Sequence, residues 1–280
     1  MIRSAERPAI VRHLLIIAVA FVMLYPVLWM LGSSFKPANM IFSETWFWPK
    51  QWHWENYANG WRGVQGNPFS KFLLNSMILS LGAVAGNVVT CSMAAYAFAR
   101  LNFRYKKLCF GIMLATIMLP HHVTLIPQYI LFNKLDWVNS LAPLIVPKWL
   151  GTDAFFIFLT IQFIRGLPRE LDEAATIDGC GPLQIYWRLI MPLALPALIT
   201  TAIFTFLWTW DDFFSQLIYL SDATKYTVPL GLRLFLDSSS QSDWGPMFAM
   251  SVLSLLPCFI IFIVCQKYFV QGIATSGLKG

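Results

Sequence analysis

Glu173-Ala174-Ala175-Thr176-Ile177-Asp178-Gly179, running on to Leu189-Ile190-Met191-Pro192, is the one long polar interval between two strongly apolar runs that carries clean helix punctuation. Pro168 suits the first turn of a helix, where its missing N–H costs nothing. Gly179 suits the position just past a helix end, where a left-handed backbone is needed. Leu171, Ala174, Ala175 and Asp178 recur at helical spacing, which sets a stripe of small residues beside Glu170 and Glu173. Gly181-Pro182 restarts a second short helix, and Pro192 ends it. The expected product is a compact knob of two short helices folded about a glycine.

Composition alone favours a solvated connector between two spans. Resemblance decides otherwise. Glu-Ala-Ala, three residues, Gly, nine residues and then a Leu189-x-Met191-Pro192 tail resembles the loop motif of binding-protein-dependent ABC importer permeases, which end it in Ile-x-Leu-Pro. The stretch from Pro168 to Gly179 is similar to the sugar-importer branch, of the smaller maltose-permease type. That resemblance implies a type I importer permease fold: six transmembrane helices with a cytoplasmic coupling helix in the loop 166–192. In such a protein Glu173, Ala174, Ala175, Asp178 and Gly179 meet the ATPase. The last residues resemble the terminal tail of sugar permeases, so Gly277, Lys279 and Gly280 would face the same partner.

Composition points to the same class. The 280 residues are 57% hydrophobic and 12% charged, with mean hydropathy +0.60, against about 25% charged in ordinary soluble chains. A polytopic, all-α membrane protein is expected, embedded in the lipid bilayer. The net charge of +6 does not indicate a nucleic-acid partner, because the basic residues sit between apolar runs, where topology explains them. Five cysteines show no CxxC pair and no histidine at ligand spacing, so they read as small apolar fillers and no metal site is expected.

Read in order, the chain offers spans near 14–31, 72–99, 108–126, 142–165, 193–213 and 246–266, a single transmembrane domain over 1–280. The first run is too long for a cleaved signal peptide and no A-x-A-like site follows it; Pro26 is expected to kink it. Residues 32–71 carry Trp46, Trp48, Trp52, Trp54 and Trp61 and read as an interfacial segment. Gly82 and Gly86 in the second span allow close helix packing. Arg100, Arg104, Lys106 and Lys107 follow it with no acidic partner in view. The third span runs into Leu119-Pro120-His121-His122; adjacent histidines diverge on a helix and do not share a metal easily. The fourth must begin before Lys148 and Asp153, since too few residues follow to cross a bilayer, and those charges should face a cavity or the interface.

Basic residues set the orientation. With both termini cytoplasmic, the inner side holds Arg3, Arg7, Arg12, Arg100, Arg104, Lys106, Lys107, Arg165, Arg169, Arg188, Lys267 and Lys279, twelve against eight.

No Gly-x-x-x-x-Gly-Lys-[Ser/Thr] and no catalytic constellation occurs, so the chain is not expected to be an enzyme or to bind a cofactor. The resemblance implies partners instead: a second homologous permease completing the pore, a dimer of ATP-binding subunits that use ATP and Mg, and an extracytoplasmic solute-binding protein. It implies the bacterial inner membrane as location and a sugar, oligosaccharide or glycerol phosphate as cargo, with the substrate-binding residues unassigned. The rival reading is a proton-coupled carrier with Asp211-Asp212, His121-His122 and Asp153 as a relay.

Overall fold

The computed structural model describes the backbone of residues 6–44, 46–236 and 243–277, with side chains over 11–44, 46–120, 122–236 and 243–266. Among these residues there is no strand; one isolated bridge joins Val64 and Asn67. The chain forms two units, one from residues 1–70 and 231–256 and one from 71–230 and 257–280. Among the described residues, four segments are long and apolar enough to cross a bilayer: Val11–Ser33, Phe69–Arg100, Ala142–Gly166 and Trp244–Gln266. The number reaches six if each of two bent helix pairs crosses once.

The first unit contains α1 (Glu6–Ser33) and α2 (Glu55–Arg62). Helix α1 continues through Pro26 and exposes every side chain from Val11 to Val27. The tryptophan-rich segment after it is folded around Lys36, which is fully buried. Its ammonium donates to the carbonyls of Glu44 at 3.0 Å and Trp46 at 2.6 Å. Burial holds its pKa below the ordinary lysine value, with Glu44 opposing. Asn56 donates to Ser34 O and Lys36 O, both at 2.9 Å. Phe35 packs on Trp52, Trp54 and Tyr57, while the rings of Trp46, Trp48, Trp52, Trp54 and Trp61 remain exposed.

The second unit is built on α3 (Phe69–Arg100). After it come α4 (Lys106–Ile117) and α5 (His121–Lys134). The expected continuous span over 108–126 is not continuous: α4 and α5 diverge by 105°. Pro120 lacks an N–H and biases Leu119 out of the helical region, so the chain turns there. Helices α6 (Ala142–Trp149) and α7 (Ala154–Gly166) together occupy the expected fourth span. At their junction Gly151 takes a left-handed φ of 67°. The turn lets Lys148 Nζ reach Asp153 Oδ2 at 2.8 Å, so the two charges that interrupt the apolar run neutralise each other.

Then come α8 (Glu170–Ile177) and α9 (Pro182–Leu193). α9 meets α10 (Leu195–Asp211) at a 75° bend. α11 (Phe213–Tyr219), α12 (Val228–Leu234) and α13 (Trp244–Gly277) follow. The second short helix does not stop at Pro192 but runs to Leu193, through a π turn over Tyr186–Ile190. Pro192 crowds the carbonyl four residues back, and the wider turn relieves that.

Gly82 and Gly86 do provide close packing, and a side chain fills the groove. Ile145 lies against Gly82, and a Cβ on Gly86 would sit 2.4 Å from Trp149 Cδ1. The indole Nε1 donates to Gly82 O at 3.0 Å, and Thr90 Oγ1 donates to Lys148 O at 3.0 Å. Gly86→Leu should therefore destabilise the fold by about 1–3 kcal/mol through overpacking. Gly111→Leu, where nothing lies within 4 Å, should be neutral. Thermal denaturation of both variants in detergent checks the difference.

Candidate functional site

The knob is assembled on the last turns of α3. Ser92, Tyr96 and Arg100 are spaced by four, so they line one face of that helix. Each reaches a different part of the segment 167–193. Ser92 Oγ and Tyr186 Oη share a hydrogen bond of 2.8 Å. Tyr96 Oη donates to Pro182 O at 2.9 Å. Arg100 Nη2 donates to Leu167 O at 2.9 Å, and its Nε lies 2.9 Å from Asp172 Oδ2. That last contact is an ion pair without linear hydrogen-bond geometry. The expectation that Arg100 lacks an acidic partner is thus corrected. Asp172 is 72 residues away along the chain, beyond the reach of local charge pairing.

Helix α8 starts at Glu170, with Pro168 just before it. Glu170, Asp172 and Glu173 fill its first turn, where carboxylates complement the positive end of the helix dipole. Its C-terminus closes in a Schellman motif: Cys180 N–H bonds to Ala175 O at 2.9 Å, and Gly179 N–H bonds to Thr176 O at 3.0 Å. Gly179 has φ 82°, the left-handed value the sequence demands of it. Gln184 Oε1 accepts from Gly181 N–H at 2.9 Å and starts α9.

The small-residue stripe divides. Ala175 packs half-buried against the core formed by Tyr96, Ile164, Ile185, Tyr186 and their neighbours. Glu173, Ala174, Asp178 and Gly179 are exposed. The most exposed apolar side chain here is Ile177, at 86%, with Leu183 at 67%. Both were missed from the sequence, and the signal was present in the helical register: each falls on the face opposite the half-buried Ala175 and the buried Ile185. Beside α8 a cleft of about 270 Å³ is lined by Tyr96, Arg100, Arg169, Asp172, Glu173 and Thr176. Gly277 is the last residue of α13; Lys279 and Gly280 lie outside the described residues.

The other end of α3 is anchored too. Asn75 Nδ2 donates to Thr224 O at 3.2 Å and Tyr226 O at 2.8 Å, and Ser76 Oγ accepts from Val228 N–H at 2.9 Å. At about 1.5 Å per residue, Asn75 and Arg100 are roughly 37 Å apart, more than the hydrocarbon thickness of about 30 Å. The knob and the 222–228 turn therefore mark opposite ends of a helix long enough to cross a bilayer. In that turn the Thr224 N–H holds the Asp222 carboxyl below its usual range.

Each described carboxylate of the relay has a setting of its own. Asp153 pairs with Lys148, and Asp212 caps α11 by accepting from Ser215 N–H at 3.0 Å. Asp211 is exposed at the end of α10, and the His122 ring stands edge-on to Phe214 at 5.4 Å. The side chain of His121 lies outside the described residues.

The family described as binding-protein-dependent transport system inner membrane component matches residues 71–275. A probable ABC transporter permease, YurM of Bacillus subtilis, is 35% identical over 91% of this chain and 84% of its own. NgcG of Streptomyces coelicolor, a diacetylchitobiose uptake system permease, is 30% identical over 99% of this chain and 91% of its own. In fold the chain is similar to a solved bacterial ABC transporter involved in the import of alginate. The TM-score is 0.83 at 22% identity, covering 96% of this chain and 99% of that one.

The turn at Gly179 gives the site its sharpest test. Nothing lies within 4 Å of a Cβ built there, so strain and not space limits substitution. Gly179→Val should cost about 1–2 kcal/mol and speed amide exchange at residues 175–180. Gly179→Asn should largely preserve protection, because asparagine tolerates the left-handed region. Hydrogen–deuterium exchange of the two variants decides it.

Proposed function

This chain belongs to the binding-protein-dependent transport system inner membrane components, and from that premise we propose that it forms one half of the pore of an ATP-driven carbohydrate importer. The observation that carries the reading is the exposed apolar tip of the knob, Ile177 and Leu183, beside Glu173, Ala174, Asp178 and Gly179. An isoleucine 86% exposed on a rigid, capped helix is costly in water and favourable in a partner's socket.

On this reading α8 is the coupling helix. It faces the cytoplasm, and both termini lie on that side, in keeping with the basic-residue bias. The two bent pairs each cross once, giving six spans. A dimer of ATP-binding subunits receives α8, and the tail residues Gly277, Lys279 and Gly280 reach toward the same dimer. ATP and Mg act in those subunits, and this chain binds no cofactor. A second permease completes the pore, and an external binding protein delivers the solute. A carbohydrate cargo is supported by the diacetylchitobiose uptake permease among the relatives and by the alginate importer that shares the fold.

Ile177→Glu tests this. Replacing a buried apolar contact by a carboxylate forfeits about 2 kcal/mol or more of docking free energy, over tenfold in affinity. The tagged variant, purified from its native host at wild-type membrane levels, should lose the MgATP hydrolysis that co-purifies with the wild-type chain. Solute movement by the purified chain alone in liposomes would instead establish a carrier.

A further inference from the structure

The knob hangs between α7 and α10, yet its polar attachments run to α3. We propose that Ser92, Tyr96 and Arg100 form a ladder that makes α3 the strut carrying knob motion into the membrane, with Arg100 as its positioning residue. This rests on the reading of α8 as the coupling helix.

Three observations support it. The ladder touches the segment at its start, at the head of α9 and inside α9: Leu167 and Asp172 through Arg100, Pro182 through Tyr96, and Tyr186 through Ser92. The Arg100 side chain is only 6% exposed and that of Asp172 20%, so the ion pair is shielded from water. A shielded pair resists rearrangement, because separating it strands both charges. Above the ladder, α3 holds the α6–α7 junction through Thr90 and Trp149, and holds α10 through Asn87, whose Nδ2 donates to Thr205 Oγ1 at 2.8 Å. A displacement of α8 therefore enters α3 and is handed on to α6 and α10 through hydrogen bonds already formed. α7 and α10 carry the chain into and out of the knob, but an extended residue at Leu167 breaks α7 from α8 and a 75° bend at Ala194 turns α10 away from α9.

The experiment uses the whole importer reconstituted with its ATP-binding subunits and binding protein. It reads solute moved and ATP hydrolysed in the same vesicles. Tyr96→Phe removes one hydroxyl without changing packing. The pair Arg100→Gln with Asp172→Asn removes the connection without stranding a charge. Both variants should retain the ATP-binding subunits and their hydrolysis, while transport per ATP falls several-fold for the first and about tenfold for the second. Arg100→Lys keeps the charge but not the guanidinium fork, and should fall between. A merely structural pair predicts that the double neutral variant regains wild-type transport per ATP; that result overturns the proposal. Ile177→Glu separates the two readings. If it loses the ATP-binding subunits while Tyr96→Phe and the double variant transport normally, the ladder fails alone. If it keeps both the subunits and transport, the docking reading fails.

Discussion

A polar side chain inside a bilayer has no water to turn to, and α3 carries a whole series of them. Asn87, Thr90, Ser92 and Tyr96 each find a partner in the protein, and so do Asn75, Ser76 and Arg100 toward its ends. Their partners lie in the 222–228 turn, α10, α6 and the knob, so satisfying α3 arranges the rest of the second unit around it. The alternative, an unpaired polar group in hydrocarbon, costs several kcal/mol. Small residues do the complementary work: Gly82 lets Ile145 approach, and Gly86 makes room for the Trp149 indole, which a Cβ there would meet at 2.4 Å.

The knob depends on this arrangement. An isolated helix of eight residues is far too short to be stable in water. α8 is nonetheless held at both ends, by Arg100 at Asp172 and by the Schellman turn at Gly179. Its inner face, at Ala175, packs on the core, which leaves Ile177 and Glu173 outward. As the proposed coupling helix, α8 can act as a lever only if it does not bend. Here rigidity comes from tertiary contacts to α3, and the helix keeps its outer face free for a partner.

The sequence conveyed the elements with strong local chemistry. Gly179 was legible because a glycine past a helical stripe is where a left-handed turn belongs, and the φ of 82° agrees. The glycines of α3 were legible as close-packing positions, though not that an indole would fill them. Pro192 was visible as a breaker, whereas the span over 108–126 was read through Pro120; a proline's local clash does not state how far the axis swings, so the 105° bend was hidden. Arg100 appeared unpaired because Asp172 is distant in sequence and adjacent only after folding. Lys148 and Asp153 looked like interruptions of a span; the left-handed Gly151 between them turns them into a pair. The outward residues Ile177 and Leu183 escaped notice because an apolar side chain in a membrane protein draws no attention until its neighbours are known to face away.

If α3 is the strut proposed for the knob, α8 and α3 move as one body. Spin labels at Ala174 and Leu81, both exposed, introduced into a cysteine-free chain within the complete importer, test it by pulsed dipolar spectroscopy. Between the nucleotide-free and ATP-trapped states their separation should hold to within about 1–2 Å. It should do so while a label at Ala174 shifts against one on the second permease. A change approaching one helical turn, about 5 Å, between Ala174 and Leu81 would mean that the knob swings independently of α3 and would contradict the account.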